Sequence, residues 1–147
     1  MNQLIVTSSA FQSNQRIPVK YTGEGEDINP PLSIDGIPKG TKSLALIMDD
    51  PDAPSGTFDH WVVWNIPPFQ NKIDENTVPG IQGLNSGQQL GYTGPYPPQG
   101  KPHRYVFQIY ALDLELQLAP NSTKKDLKKA IDGHILAEGK LIGLFSR

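Results

Sequence analysis

Asp49-Asp50-Pro51-Asp52-Ala53-Pro54-Ser55-Gly56-Thr57-Phe58-Asp59-His60-Trp61 is the stretch on which the fold turns. Before it stands Ser43-Leu44-Ala45-Leu46-Ile47-Met48, a continuous apolar run. After it, Trp61-Val62-Val63-Trp64-Asn65-Ile66 is aromatic and β-branched and stops at Pro67-Pro68. Aromatic and β-branched residues suit a pleated, packed surface. An unbroken apolar run of this length fits a strand covered on both faces, although periodicity alone does not separate it from a helix. The pair therefore reads as two strands joined by an acidic, proline-rich loop. Trp61 and Trp64 are three apart and face opposite sides of their strand, so at least one enters the core.

Working outward, further strands are expected over 4–7, 17–22, 104–112 and 140–145. Such runs, separated by Gly/Pro turns, indicate an all-β sandwich or barrel with minor helices. One helix is expected. Thr123-Lys124-Lys125-Asp126 has the form of a capping box. Leu127, Ala130, Ile131, His134 and Ile135 then recur on one helical face, and Gly139 is the natural stop. His134 is read as structural, and the charge clusters at 24–27 and 124–129 as solvated surface. Residues 67–102 hold seven prolines and six glycines. Apolar groups such as Phe69, Ile73, Val78, Ile81, Leu90, Tyr92 and Tyr96 are spread through the segment, and these want burial, so it is expected to be an ordered, packed connection rather than a disordered linker.

The whole chain, 147 residues, is expected to be a single domain over 1–147. It has no cysteine, which excludes disulfides, thiolate zinc sites, iron–sulfur clusters and a cysteine nucleophile. With 13 Lys and Arg against 15 Asp and Glu, the net charge of −2 lacks the footprint of a nucleic-acid binder. No polybasic run would hold the chain to an anionic membrane, and no stretch approaches the ~20 apolar residues of a membrane helix. The N-terminus has only a three-residue apolar run, Leu4-Ile5-Val6, and no basic leader. A cytoplasmic protein is expected.

Ionisable groups concentrate in two places. One is the loop quoted above. The other is Gly94-Pro95-Tyr96-Pro97-Pro98-Gln99-Gly100-Lys101-Pro102-His103-Arg104-Tyr105. Each delivers a histidine, His60 or His103, at the mouth of a strand. Together they suggest a small anion pocket. Proline fixes φ and has no N–H, so interleaved prolines hold the remaining amides, such as those of Ser55 and Gly56, in set directions. Fixed amides with one or two imidazoles bind a phosphate or carboxylate through charge-assisted hydrogen bonds. An aspartate beside a histidine orients the ring, Tyr105 adds an O–H donor, and some X-Pro bonds here are candidates for the cis form.

These two motifs resemble the two signatures of the phosphatidylethanolamine-binding protein (PEBP) family: Asp50-Pro-Asp-Ala-Pro-Ser-Gly followed by His60 entering Trp-Val-Val-Trp-Asn, and Gly94 to Tyr105. Asn29-Pro30-Pro31-Leu32 and the approach from Gly36 to Leu44 resemble its bacterial and archaeal, Raf-kinase-inhibitor-like branch. The resemblance spans nearly the whole chain. It implies a sandwich of two antiparallel sheets with Greek-key connections and a pocket for phosphate-type anions and phospholipid head groups. By position it implies Asp50, His60 and His103 as the polar core of that pocket. Pro98 and Tyr105 would line it, Asp52 would support it, and Phe58 would stand where a larger aromatic is common. Ser55-Gly56 replaces a Ser-Arg pair. The chain ends at Arg147, short of the C-terminal helix of animal members. A homodimer is implied.

The leading functional expectation is a non-catalytic binding protein for a small anion such as phosphate, phosphoethanolamine or a carboxylate, with no cofactor and no metal. One alternative is a hydrolase, either metal-dependent through Asp50, Asp52, His60 and His103 or acyl-transferring through Ser55 with His60. No His-Glu-x-x-His or Gly-x-Ser-x-Gly motif supports it. The other alternative is a protease or kinase inhibitor acting through the pocket loops.

Overall fold

The computed structural model describes residues 2–147. The decisive pair forms as expected, β5 over Ser43–Asp50 and β6 over Phe58–Ile66. It sits in the middle of a sheet whose order is β1 (Asn2–Gln3), β10 (Ile135–Phe145), β9 (His103–Leu112), β5, β6 and β8 (Ile81–Gln82), with β3 (Gln15–Arg16) also pairing with β10. A smaller sheet has the order β2 (Ile5–Thr7), β4 (Leu32–Asp35) and β7 (Lys72–Ile73). The described residues are thus mostly β, with two sheets, one α-helix and strand neighbours that are not sequence neighbours. The long strands pair antiparallel, whereas β1 and β3 run parallel to β10.

The large sheet is covered on both faces, which is why β5 reads as an unbroken apolar run. Leu44, Leu46, Met48, Trp61, Val63, Tyr105, Phe107 and Ile109 face a core closed by Val6, Leu32, Ile34 and Ile73 of the smaller sheet. Ala45, Ile47, Val62, Trp64, Tyr110 and Leu112 face a second core closed by Leu116 and by Leu127 and Ile131 of the helix. Trp61 and Trp64 therefore anchor one core each, and both are fully buried. Full burial of a large apolar side chain stabilises by about 1.5–3 kcal/mol, so these two rings hold the sheet between its two layers. Trp61 Nε1 donates to Gln82 Oε1 at 2.8 Å. Trp64 Nε1 is buried without a partner.

Several expectations are corrected. Residues 17–22 are not a strand. The chain leaves β3, and after Pro18 a short 3-10 helix spans Val19–Tyr21. The capping box forms as read, with Thr123 and Asp126 exchanging hydrogen bonds, but α1 is only Lys124–Ile131. Gly133 at φ 82° turns the chain. His134 and Ile135 therefore leave the helix, and the last strand begins at Ile135 rather than Lys140. Gly139 lies inside β10 instead of ending the helix. The backbone carbonyl of Leu4 crosses over Gly139, and a Cβ there would collide with it.

The 67–102 segment is ordered, but not mainly by apolar burial. Phe69, Val78, Ile81, Leu90 and Tyr96 are exposed, whereas Ile73 is buried. What ties the segment down is hydrogen bonding. Asn85 donates to Gly91 O and Thr93 Oγ1 at 3.0 and 2.9 Å, and its own Oδ1 accepts the amides of Gly87 and Gln89. Among the described residues no peptide bond is cis, so the loops need no cis proline.

Candidate functional site

β5 ends where the first acidic loop begins, and β9 begins where the proline-rich loop ends. Asp49↔Val106 is the last β5–β9 register pair, so the two loops leave the sheet side by side. Alternation along β5 then separates two neighbouring acids. Asp50 turns into the space between the loops. Asp49 points to the helix side, where Lys124 Nζ lies 2.6 Å from it and 3.3 Å from Asp59.

A cavity of about 190 Å³ lies between the loops. Asp50, Ala53, Pro54, Phe58, His60, Thr93, Gly94, Tyr96, Pro97, Pro98 and His103 line it. Drug-sized ligands take ~300–1,000 Å³, so this space fits a head group of a few heavy atoms. The expected polar core, Asp50, His60 and His103, is therefore brought together, with Phe58 and Pro98 on its wall. Asp50 and His60 are almost entirely buried, at 3% and 5% exposure.

The two imidazoles are oriented by different acceptors. His60 Nδ1 lies 2.6 Å from the carbonyl of Thr93. A carbonyl only accepts, so Nδ1 carries the hydrogen and Nε2 is the free nitrogen. Burial pushes the His60 pKa down, against the backbone hydrogen bond to Thr93 and the charges of Asp50, Asp27 and Asp49, which raise it. His60 is thus held neutral with a lone pair on Nε2. His103 Nδ1 donates to Asp50 Oδ2 at 2.7 Å, so its Nε2 is free as well.

Asp50 Oδ1 accepts the amide of Asp52 at 2.8 Å. Tyr105 is buried behind the pocket, its ring edge-on to His60 at 5.3 Å and stacked on His103 at 6.5 Å. Burial pushes its phenol well above the usual range, and the charge of Asp50 adds to the effect. Tyr105 therefore acts as a neutral spacer between the imidazoles and does not line the cavity wall. Phe58 packs on His60 with ring centroids 4.7 Å apart.

Three further expected residues stand outside the cavity. Ser55 and Gly56 sit in the exposed turn between β5 and β6. The Gly56 amide donates back to Ala53 O at 3.2 Å, so it closes the turn instead of facing an anion. The neighbouring prolines stiffen the turn but do not aim the Gly56 amide inward. Asp52 is also off the wall. It grips Arg104 through Nε and Nη2 at 2.9 and 2.8 Å and accepts the Arg104 amide at 2.9 Å. These bonds hold its carboxyl at about 2. Asp52 thereby clamps the start of β9, next to His103.

Sequence reasoning passed over Thr93, Gly94, Tyr96 and Pro97 as individual lining residues. Thr93 acts through its backbone carbonyl, which no side-chain motif reveals. Asp27, read as part of a solvated charge cluster, accepts the Gly94 amide at 2.7 Å and so braces the wall. The serine-hydrolase alternative loses its geometry. Ser55 is outside the cavity, and His60 is anchored on a carbonyl rather than on a carboxylate. Among the described residues, no group of three or more His, Asp or Glu is disposed to hold a metal ion.

A two-sheet β sandwich with a small, mostly apolar cavity and an Asp/His floor defines the class: a small-ligand-binding β fold. Comparison with known proteins makes it specific. The pattern of the phosphatidylethanolamine-binding protein family matches residues 7–146, and the chain belongs to that family. It is 52% identical to a UPF0098 protein of Methanothermobacter thermautotrophicus over 94% of this chain and 95% of that one. It is 45% identical to a UPF0098 protein of Aquifex aeolicus over 97% and 88% of the two chains.

Among solved structures, a PEBP homologue from Chlamydia trachomatis superposes with a TM-score of 0.95 at 40% identity, covering 100% of this chain and 99% of that one. Escherichia coli YbcL, described as a member of the mammalian PEBP family, superposes at 0.91 with 28% identity and 99% coverage of both chains. Among the described residues no helix is long and apolar enough to cross a membrane.

Proposed function

We propose that the cavity binds, without turning it over, a small oxyacid group: phosphate, the phosphate end of phosphoethanolamine, or a carboxylate. One observation carries the reading. His60 and His103, from different loops, commit Nδ1 to protein acceptors and leave Nε2 for a ligand in one small cavity. A neutral imidazole offers that ligand an acceptor. Each proton that the oxyacid carries can be donated to such an imidazole, and phosphate carries more of them at pH 5.5 than at pH 8; a fully ionised oxyacid requires the imidazole to take up a proton. Catalysis is not proposed. The only hydroxyl-bearing lining residue besides the wall tyrosine is Thr93, and its Oγ1 accepts from Asn85. The cysteine-free chain fits the cytoplasm, and sedimentation of the purified protein decides the homodimer.

Calorimetric titration with inorganic phosphate and phosphoethanolamine at pH 5.5 and 8 tests the reading. Binding should be tighter at pH 5.5, and a His60→Ala, His103→Ala double variant should lose it. Retained binding in that variant, or affinity independent of pH, would overturn the assignment.

A further inference from the structure

The cavity wall made by Tyr96, Pro97 and Pro98 cannot hold itself in place. Pro95, Pro97 and Pro98 have no amide hydrogen, so the segment is anchored through its carbonyls. Two of them accept: the Gly23 amide donates to Pro95 O at 2.8 Å, and Arg147 Nε donates to Pro97 O at 2.6 Å. The Arg147 guanidinium also lies 3.9 Å from the centroid of the Tyr96 ring. Gly23 packs so closely on the same residue that a Cβ there would stand 2.9 Å from Tyr96 Cδ1. Arg147 closes the loop from its far end as well, its carbonyl accepting the Gly100 amide at 3.3 Å. Arg147 is itself placed by the end of β10, where Phe145 is buried and Ser146 O accepts from Arg16 at 3.2 Å. No lining residue is a lysine or an arginine, so Arg147 also brings a permanent cation to the rim.

We infer that Arg147 is a positioning residue. By pinning the Tyr96–Pro98 wall through the Pro97 carbonyl and the Tyr96 ring, it sets the aperture of the pocket and hence the size of oxyacid ligand accepted. This rests on the cavity being a ligand site. Lysine would keep the charge but lacks the planar guanidinium that stacks and donates through Nε.

The test measures affinities for inorganic phosphate and for the bulkier phenyl phosphate in the wild type, Arg147→Ala and Arg147→Lys. It also follows amide hydrogen exchange of the ligand-free proteins by NMR. In Arg147→Ala, phosphate affinity should fall about tenfold, the order expected for one charge-assisted hydrogen bond. Phenyl phosphate should lose less, so that discrimination shrinks. Exchange at Gly23 and Gly100 should accelerate, while Phe107 and Ile109 in β9 stay protected, showing that the fold is intact. Arg147→Lys should behave like Arg147→Ala in discrimination and exchange.

Full rescue by lysine would overturn positioning and leave only charge. Unchanged discrimination and exchange in Arg147→Ala would overturn the inference outright. Should the wild type bind neither probe, the proposed function falls, and the role of Arg147 is decided by the exchange data alone.

Discussion

His60 should make the stability of this protein depend on pH in a calculable way. The residue is 5% exposed and its Nδ1 is tied to the Thr93 carbonyl. Burial is the largest influence on its pKa and lowers it, against the acidic groups Asp50, Asp27 and Asp49. In the unfolded chain the ring titrates at ~6.5. As pH falls below that value, the unfolded state takes up a proton that the native state refuses. Stability contributed by the neutral ring is therefore present above ~6.5 and declines toward lower pH, until the native ring also protonates. The limiting slope for one proton is about 1.4 kcal/mol per pH unit. Between pH 7.5 and 5.5 the accumulated loss is at most about 1.4 kcal/mol.

The assay is urea unfolding at pH 7.5, 6.5 and 5.5 in Tris and Bis-Tris chloride, which supply no oxyacid to occupy the pocket. It compares the wild type with His60→Gln. His103 and His134 are present in both proteins, so the difference in slope isolates His60. The wild type should lose more stability on acidification than the variant. Parallel pH profiles, or an NMR titration of the His60 ring at or above ~6.5, would refute the reasoning.

Other perturbations have equally definite outcomes. Arg104→Ala should return the Asp52 carboxyl from about 2 toward its ordinary 3.8, read by NMR titration. Because the folded value is the lower one, the clamp stabilises above 3.8 and fades as pH falls toward 2. With Arg104 half exposed to solvent, its loss should cost little stability, read by urea unfolding. Gly139→Ala drives a Cβ into the Leu4 carbonyl. Thermal or urea unfolding should show a loss of about 2–3 kcal/mol, as for an overpacked core, with the 2–7 segment exchanging faster. Trp64→Phe removes a buried N–H that has no partner, so part of the lost packing is returned. It should cost less than Trp61→Phe, which breaks the 2.8 Å bond to Gln82, and urea unfolding ranks the two.

Local chemistry and tertiary geometry divided the work in this chain. The β5–β6 pair, β9, the capped start of α1 and the pairing of two histidine-bearing loops were legible, because apolar runs, β-branched residues, capping residues and strand-ending prolines act over a few neighbours. The family resemblance, carried by the same motifs, pointed to Asp50, His60 and His103. The end of α1 was misread because Leu127, Ala130, Ile131, His134 and Ile135 keep a helical period beyond Gly133, whose positive φ ends the helix. Gly139 had the sequence of a helix stop, but its reason is a crossing carbonyl from the far end of the chain.

Only the folded structure decided which atoms of the site are free. Thr93 O takes His60 Nδ1, Asp50 takes His103 Nδ1, Gly56 spends its amide on Ala53, and Asp52 turns outward to Arg104. These are contacts between residues up to 53 positions apart. A sequence states which donors and acceptors exist, but which partner each one finds is settled by long-range packing, and that settles whether a histidine meets a ligand with a proton or a lone pair.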